Sequence, residues 1–552
     1  MAKKDYSNWS KEDLVKEVEK KDKLLKKKYG VVWEDKPEKV ALLCKEKLPV
    51  LIEDKNKEIK ADKEKPVNFL IEGDNYHALS VLNYTHKGKV DLIYIDPPYN
   101  TGKKKEWKYN DHWVDENDQY RHSKWLSFMQ KRLNLAKPLL KTGGVIFISI
   151  DDNEYAQLRL LCNEIFTEKN FVANIIWQKK FSPQNDATYF SIMHDYILCI
   201  AKKKKKNKKD ADGWQRNLLA RPDNSSYKNS DNDSRGPWTS GDLTAEGPTP
   251  NCIYEIISPT KRRYLPPKGK RWVFNKDNYK LLRKENRIWF GKNGNSFPRL
   301  KRFLSEVQKG YVPNTIWFYN EVGHTQEGKQ EFNDLFGREI DFDYPKPSRL
   351  IERIIEIGAN KNALILDFFA GTGTTAQSVL SLNSKDGGKR KFILCTNDEN
   401  NICTEICYPR IQKVINGYIN SKKEKVNGLG GNLKYFKTGF VDAQSTDKNK
   451  KRLVDKSTEM LCLKENCFNE AMKGREFKIF TNSQGKNLGI IYDDEGIEPF
   501  KKKIKKLKKK FVVYVFSLDE SAREEEFEDV AKWVELKPIP AVILNVYKKI
   551  FK

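Results

Sequence analysis

Two stretches of this chain, 61–200 and 341–424, predict the two halves of one α/β domain built on a doubly wound, mostly parallel sheet. Three observations carry that expectation. The apolar runs VNFLIEGD, KVDLIYID, VIFISID, ALILDFF and KFILCTND are continuous rather than alternating, helical spacings fall between them, and several runs end at a glycine or proline turn. A strand covered on both faces needs an unbroken apolar run, and helices on both sides of a parallel sheet supply that cover.

In chain order, residues 1–60 are dense in Lys and Glu. After Ser10, KEDLVKEVEKKDKLLKKK sets Leu14, Val18, Leu24 and Leu25 along a thin stripe, which predicts an N-terminal helical arm, either a dimerisation element or a solvated end. In the first half, NYHALSVLNYTHKG is helical, and so is HSKWLSFMQKRLNLAKPLLKTGG by its spacing of Trp125, Phe128, Leu133 and Leu140. From Lys202 the run KKKKKNKK opens 201–340, where Asn, Ser, Gly and Pro dominate and element signals fade, as expected of an inserted domain with long loops. SRLIERIIEIG and TTAQSVLSL then restore the α/β texture. Residues 425–552, with GNLKYFKTGFV, KKKIKKLKKK and FVVYVFSL, read as a C-terminal α+β section available for dimer or partner contact, and the lysine runs read as solvated loops.

Composition narrows the function classes. The 552 residues hold 103 Lys and Arg against 76 Asp and Glu, a net charge of +27, which makes a polyanion such as nucleic acid the first partner to consider. Nine cysteines with no CxxC pair, and six histidines without zinc spacing, argue for a reducing, cytoplasmic setting without structural metal. The start lacks an apolar signal core and no run approaches the ~18 apolar residues of a membrane span, so export and membrane insertion are not expected.

Two motifs carry chemistry. YIDPPYN places a carboxylate, two prolines and an aromatic ring at the carboxyl end of a strand, where open α/β sheets bind ligands. Those residue types suit an exocyclic amine as nucleophile, because its lone pair is delocalised until both N–H groups are held by acceptors. Asp96 can accept one and the Pro97 carbonyl the other, while Pro97 and Pro98 limit backbone freedom and Tyr99 offers a stacking face for an extruded base. The second motif, DFFAGTGTTA over 367–376, is a strand, a glycine turn and a helix start. It admits a ligand against the backbone, but alone it also fits a dinucleotide fingerprint or, less well, a ligand-free connection.

DPPYN followed far downstream by DFFAGTGTT, with an insertion between them, resembles the β-class amino-methyltransferases of DNA, which use S-adenosylmethionine. Through YGVVWEDKPE, FLIEGDNYHALSVLNYTHKGKVDLIYIDPPYNTG, GGNLKYFKTGFV and LKPIPAVILNVYKKIF, the chain is most similar to the modification subunits of type III restriction-modification systems. The resemblance implies a Rossmann-like methyltransferase sheet with an inserted target-recognition domain. It implies a cofactor site made of Asp74, Lys346, Ser348, Asp367, Phe368, Ala370, Gly371, Thr372, Gly373, Thr374 and Thr375, with Asp398 or Glu399 for the ribose. Asp96, Pro97, Pro98 and Tyr99 would be catalytic. Asn100, Trp177 and Phe181 would serve the flipped base, and Arg262, Arg263 and Arg299, with Trp272, Lys301 and Arg302 nearby, would meet DNA.

In the family it resembles, DPPY accompanies adenine N6 rather than cytosine N4 targets, which implies adenine here, and the absence of a Pro-Cys dipeptide removes the nucleophile of cytosine C5 chemistry. The implied partners are double-stranded DNA, a second copy of the chain and a separate restriction subunit, since no GxxxxGK[ST] loop is present. No metal is implied for the transfer. A solitary methyltransferase, a nicotinamide oxidoreductase and a non-catalytic DNA-binding subunit are the competing readings.

Overall fold

A computed structural model describes residues 10–25, 30–62, 64–102, 119–207, 209–221, 226–228, 231–247, 249–307, 310–337, 342, 344–482, 484–519 and 521–551. The side chains of Leu24 and Leu25, expected in the N-terminal stripe, lie outside the described residues; the backbone there is the helix Lys11–Leu25, on which Leu14 and Val18 are exposed.

The chain divides into two compact units, one of Met1–Asn217 with Asn314–Lys552 and one of Leu218–Pro313. The larger unit is organised by an eleven-stranded sheet. Its strands are β1 (Lys47–Glu53), β2 (Val67–Glu72), β3 (Val90–Ile95), β4 (Leu140–Ile150), β5 (Phe171–Gln178), β6 (His194–Ala201), β7 (Ile316–Trp317), β8 (Leu364–Asp367), β9 (Lys391–Thr396) and β10 (Asn432–Asp442), with a short pair at Ile59–Lys60 on β10. The spatial order is β1-β10-β2-β9-β8-β3-β4-β6-β5-β7. From β10 to β4 all neighbours are parallel. β6 is antiparallel to both β4 and β5, and β1 is antiparallel to β10.

Alternate residues of a strand point to opposite faces, and here each face meets its own helices. Ile93, Ile95, Ile146 and Ile148 join the core with Leu126, Met129 and Leu133 of α2 (Arg121–Leu139), which packs between α1 (Asn75–Thr85) and α3 (Tyr155–Phe166). On the other face, Leu92, Val145 and Phe147 lie so close under Gly358 that a Cβ there would stand 2.4 Å from Leu92. Gly358 ends α5 (Ser348–Gly358), which packs on α6 (Thr374–Asp386), itself against α7 (Tyr408–Asn416). The doubly wound sheet expected from the apolar runs is therefore the observed one.

Three expectations need correction. The N-terminal arm and the C-terminal section do not stand apart from the central sheet, because they supply β1 and β10. Leu48, Val50 and Leu51 of β1 and Tyr435 and Phe436 of β10 are buried, so these strands cap the sheet's edge with apolar residues. The insertion is narrower than 201–340, since β7 on one flank pairs with β5 and the helix α4 (Thr325–Phe336) also belongs to the larger unit. The run KKKIKKLKKK is not a solvated loop: it begins inside the helix Ile497–Leu507, where Lys501 is buried and paired with Glu498 at 2.7 Å and Asp529 at 3.0 Å. That helix packs on a five-stranded C-terminal sheet running from Asn469 to Ile539.

The smaller unit has its own core of Leu243, Ile256, Trp272, Tyr279, Ile288 and Phe290. Trp272 is fully buried and Lys301 is held by Asp231 and Asp233, so these two serve packing and not an outer surface. Arg262, Arg263, Arg299 and Arg302 are exposed. No helix among the described residues is long and apolar enough to cross a membrane.

Candidate active site

In a doubly wound sheet the ligand crevice opens where neighbouring strands send their connections to opposite sides. Here that place is the carboxyl end of β8 and β3, and both motifs emerge there. β3 runs into Asp96–Asn100, whose last residue sits at φ 60°. Trp125 Nε1 donates to the Pro98 carbonyl at 2.7 Å, pinning the turn to α2. The Tyr99 hydroxyl donates to Asp96 Oδ1 at 2.9 Å and Lys346 Nζ donates to Oδ2 at 2.6 Å. Both oxygens of Asp96 are thereby oriented. Burial, with Asp96 next to it, pushes the Tyr99 hydroxyl well above its ordinary range, so it remains a donor.

A cavity of about 470 Å³ opens beside this turn, within the usual range of small-ligand sites. Tyr99, Trp177, Lys179, Phe181, Asp195 and Lys346 are among its walls. Trp177 is fully buried and fixed by its Nε1 donating to the Gly323 carbonyl at 2.9 Å, whereas Phe181 is half exposed at the mouth, 5.5 Å from the His324 ring. Lys179 pairs with Asp195 at 2.6 Å; burial nevertheless pushes the Asp195 carboxyl up to about 6.

The glycine turn is held from beneath. Asp367 accepts from the Phe369 N–H at 3.0 Å and from the Thr375 hydroxyl at 2.6 Å, closing the ends of the turn on each other. The Ala370 N–H donates to the Cys395 carbonyl at 3.1 Å, and Asn75 Nδ2 donates to the Phe368 carbonyl at 2.9 Å. Gly371 and Gly373 sit at φ 51° and 79°, and a Cβ on Gly373 would stand 3.1 Å from Cys407 Sγ. Fully buried Arg410 donates from Nη1 to the hydroxyls of Thr372 at 2.9 Å and Thr374 at 2.8 Å.

The remaining expected cofactor residues have local partners. Asp74 caps α1 through the Tyr76 N–H at 2.7 Å and lies 3.4 Å from Arg132. Ser348 donates its hydroxyl to Glu331 at 2.9 Å at the start of α5. Asp398 accepts from the Thr404 N–H at 2.9 Å and from its hydroxyl at 3.0 Å, while Glu399 accepts from Asn397 Nδ2 at 3.3 Å. Lys346, expected by resemblance beside the cofactor, pairs with the Asp96 carboxylate.

Sequence reasoning missed several buried groups. Glu154 is enclosed, accepts from Asn100 Nδ2 at 2.5 Å and lies 2.7 Å from His122 Nδ1; burial raises its carboxyl above the ordinary range. Its signal was DDNE directly after VIFISI, at the carboxyl end of the strand beside DPPYN. Arg132 and Arg410 gave no such signal, because each lies within an ordinary helical stretch.

Burial, with Asp96 nearby, pushes the Asp367 carboxyl up to about 7. A carboxyl whose folded value lies above its unfolded one stabilises the fold in acid, and that contribution is lost as pH rises through the folded value. Between about pH 5 and about pH 8 the wild type should therefore lose stability more steeply than Asp367→Asn, by roughly 1 kcal/mol or more, in denaturant titrations at each pH. Parallel pH profiles would remove Asp367 as the titrating group.

A parallel sheet with a glycine turn and a lysine-held aspartate at its switch point defines an α/β protein with a ligand crevice and an adjoining pocket. The family profile described as DNA methylase matches residues 90–408, spanning both motifs, and the chain belongs to that family. It is similar to the StyLTI Mod subunit of a type III restriction-modification enzyme from Salmonella typhimurium, 36% identical over 383 residues, covering 64% of this chain and 56% of that one. It is also similar to the EcoPI Mod subunit of Escherichia phage P1, 34% identical over 381 residues, covering 60% and 58% respectively. With the type II methyltransferase M.KpnI of Klebsiella pneumoniae it shares 31% identity over 397 residues, covering 67% of this chain and 90% of that one. The chain thus spans a little over half the length of the two Mod subunits.

Proposed function

We propose that this protein methylates adenine N6 at specific sites in double-stranded DNA, using S-adenosylmethionine, as the modification subunit of a type III restriction-modification system. The observation that carries the reading is Asp96, oriented by Tyr99 and Lys346, which both line the cavity, at the end of the strand next to the one that leads into the glycine turn. The type III Mod subunits among the relatives support the assignment to such a system. In this reading the protein works in the cytoplasm as a homodimer with a separate restriction subunit.

The cofactor fits the residues present. Among the described residues Asn397 Oδ1 and Arg410 Nη2 are buried without a hydrogen-bond partner, one an acceptor at the end of β9 and the other a cation at the glycine turn that lies 3.9 Å from Glu331. Such a pair suits a ligand that carries hydroxyl and amine donors and a carboxylate. The turn from Asp367 to Thr375 would hold its amino-acid end, with Ser348 near by, and the Asp398–Glu399 pair its ribose. When bound, S-adenosylmethionine supplies a methyl group on a positively charged sulfur. Asp96 and the Pro97 carbonyl accept the two N–H groups of the target amine and direct its lone pair toward that methyl. A carboxylate offers about four lone-pair sites, so Asp96 can keep Tyr99 and Lys346 and still accept an N–H. The carboxylate also offsets the positive charge that develops on nitrogen. Tyr99 and Trp177 bound the extruded base, and the pocket keeps water from the amine.

The test is methylation-aware sequencing of unmodified DNA exposed to the protein and cofactor, with light scattering on the same sample. N6-methyladenine at one recurring site and a mass near twice 64.4 kDa are expected. N4-methylcytosine would replace the target base, and a monomer would remove the dimer.

Site choice is assigned to the unit Leu218–Pro313, which has its own core and exposes Arg262, Arg263, Arg299 and Arg302. Exchanging 218–313 for the matching unit of a relative should move the methylated site and leave the modified base unchanged. A folded, active chimera that keeps the original site would refute the assignment.

A further inference from the structure

The connection 179–193 between β5 and β6 carries two side chains that nothing in the site described so far uses. Tyr189 is 90% exposed and Phe190 is 91% exposed, with Ile192 beside them at 53%. Scattered exposed apolar residues are ordinary on any surface, but adjacent, fully solvated aromatic rings on one loop mark a contact surface. The loop's position says what it meets. Its stem is closed by the N–H groups of Lys179 and Lys180, which donate to the Met193 carbonyl at 2.8 and 3.3 Å. Its first limb, from Lys179 to Gln184, forms part of the cavity wall beside Tyr99 and Trp177. Its second limb is tied back to that wall, because the Gln184 N–H donates to Ser191 Oγ at 2.7 Å. Tyr189 and Phe190 are therefore the exposed tip of the loop whose first limb walls the cavity into which, in the function proposed above, a base is drawn.

Drawing a base out of a duplex leaves an unstacked gap one ring thick, and an aromatic side chain can refill it with a flat apolar face. We propose that the Tyr189–Phe190 tip is the wedge that enters double-stranded DNA as the target base leaves the stack. The partner is a DNA duplex, in keeping with a chain charge of +27 and with the continuity between the tip and the base cavity. This assignment rests on the methyltransferase reading.

The experiment compares two duplexes carrying the site found by sequencing, one fully paired and one with the target adenine opposite an abasic position, where no partner base has to be broken away. Wild type, the double variant Tyr189→Ala/Phe190→Ala and the double variant Tyr189→Leu/Phe190→Leu are assayed on both, with cofactor affinity and mass measured alongside. The alanine variant should lose roughly 10- to 100-fold in methylation rate on the paired duplex and stay within about threefold of wild type on the abasic one. The leucine variant, which keeps apolar bulk, should recover part of the loss. An undiminished rate on the paired duplex, or an equal loss on both, overturns the wedge. So does a change in mass with methylation of the paired duplex intact, which would make the tip a protein contact. A wild type that methylates neither duplex removes the methyltransferase reading itself and the wedge with it.

Discussion

Asp96→Asn should reduce methyl transfer by ~10³-fold or more while cofactor binding survives, because the change removes a charged acceptor at the site where positive charge develops and leaves the glycine turn untouched. The substitution keeps the side chain's size and one of its oxygens, so the Tyr99 and Lys346 contacts at 2.9 and 2.6 Å are weakened without opening a hole. Single-turnover assays with a labelled methyl donor give the chemical step, and calorimetry gives cofactor affinity. Transfer within about tenfold of wild type would take the central role away from Asp96.

The second large effect falls on stability. Arg132 is buried and forms a two-pronged pair with Glu38 at 2.6 and 3.0 Å; it also donates Nε to Asn75 at 2.5 Å and lies 3.4 Å from Asp74. It ties the segment before β1 to α2 and to the start of α1, the helix that reaches the glycine turn through Asn75. Arg132→Met should destabilise the larger unit by roughly 3–5 kcal/mol, because Glu38 is left buried without its cation. In urea titrations the double variant Arg132→Met/Glu38→Leu should recover part of that loss. A single variant within about 1 kcal/mol of wild type would show that the pair is dispensable.

Much of this architecture was legible because its information is local. The runs VDLIYI and LILD became β3 and β8, and their turns placed DPPYN and DFFAGTGTT side by side, as the parallel-sheet rule requires. What escaped depends on distant partners. Lys346 reaches Asp96 across 250 positions and Arg132 meets Glu38 across 94, and no periodicity announces which carboxylate a buried cation will find. The same limit hid the roles of Trp272 and Lys301. An aromatic and a lysine in a basic segment suggest a nucleic-acid surface, yet one fills a small core and the other neutralises two aspartates within it. β1 and β10 were missed for another reason: flanked by charge and far from the main motifs, their runs look like the ends of other segments until they pair with each other.

The strand order also dictates when the protein can take shape during synthesis. β2 and β3 are made early, but they are not neighbours: β9 and β8 lie between them, and β2 is covered on its other side by β10. A nascent chain that has not yet reached residue 364 holds β3 paired on one side only, with β4, and β2 with no partner at all, since β2 acquires both of its own only once residues 391–396 and 432–437 have emerged. Closing such long loops is slow and leaves unpaired edges exposed in the interval. The first half cannot close this sheet alone, so the DPPYN turn gains the glycine turn as its neighbour only in a chain translated past β8.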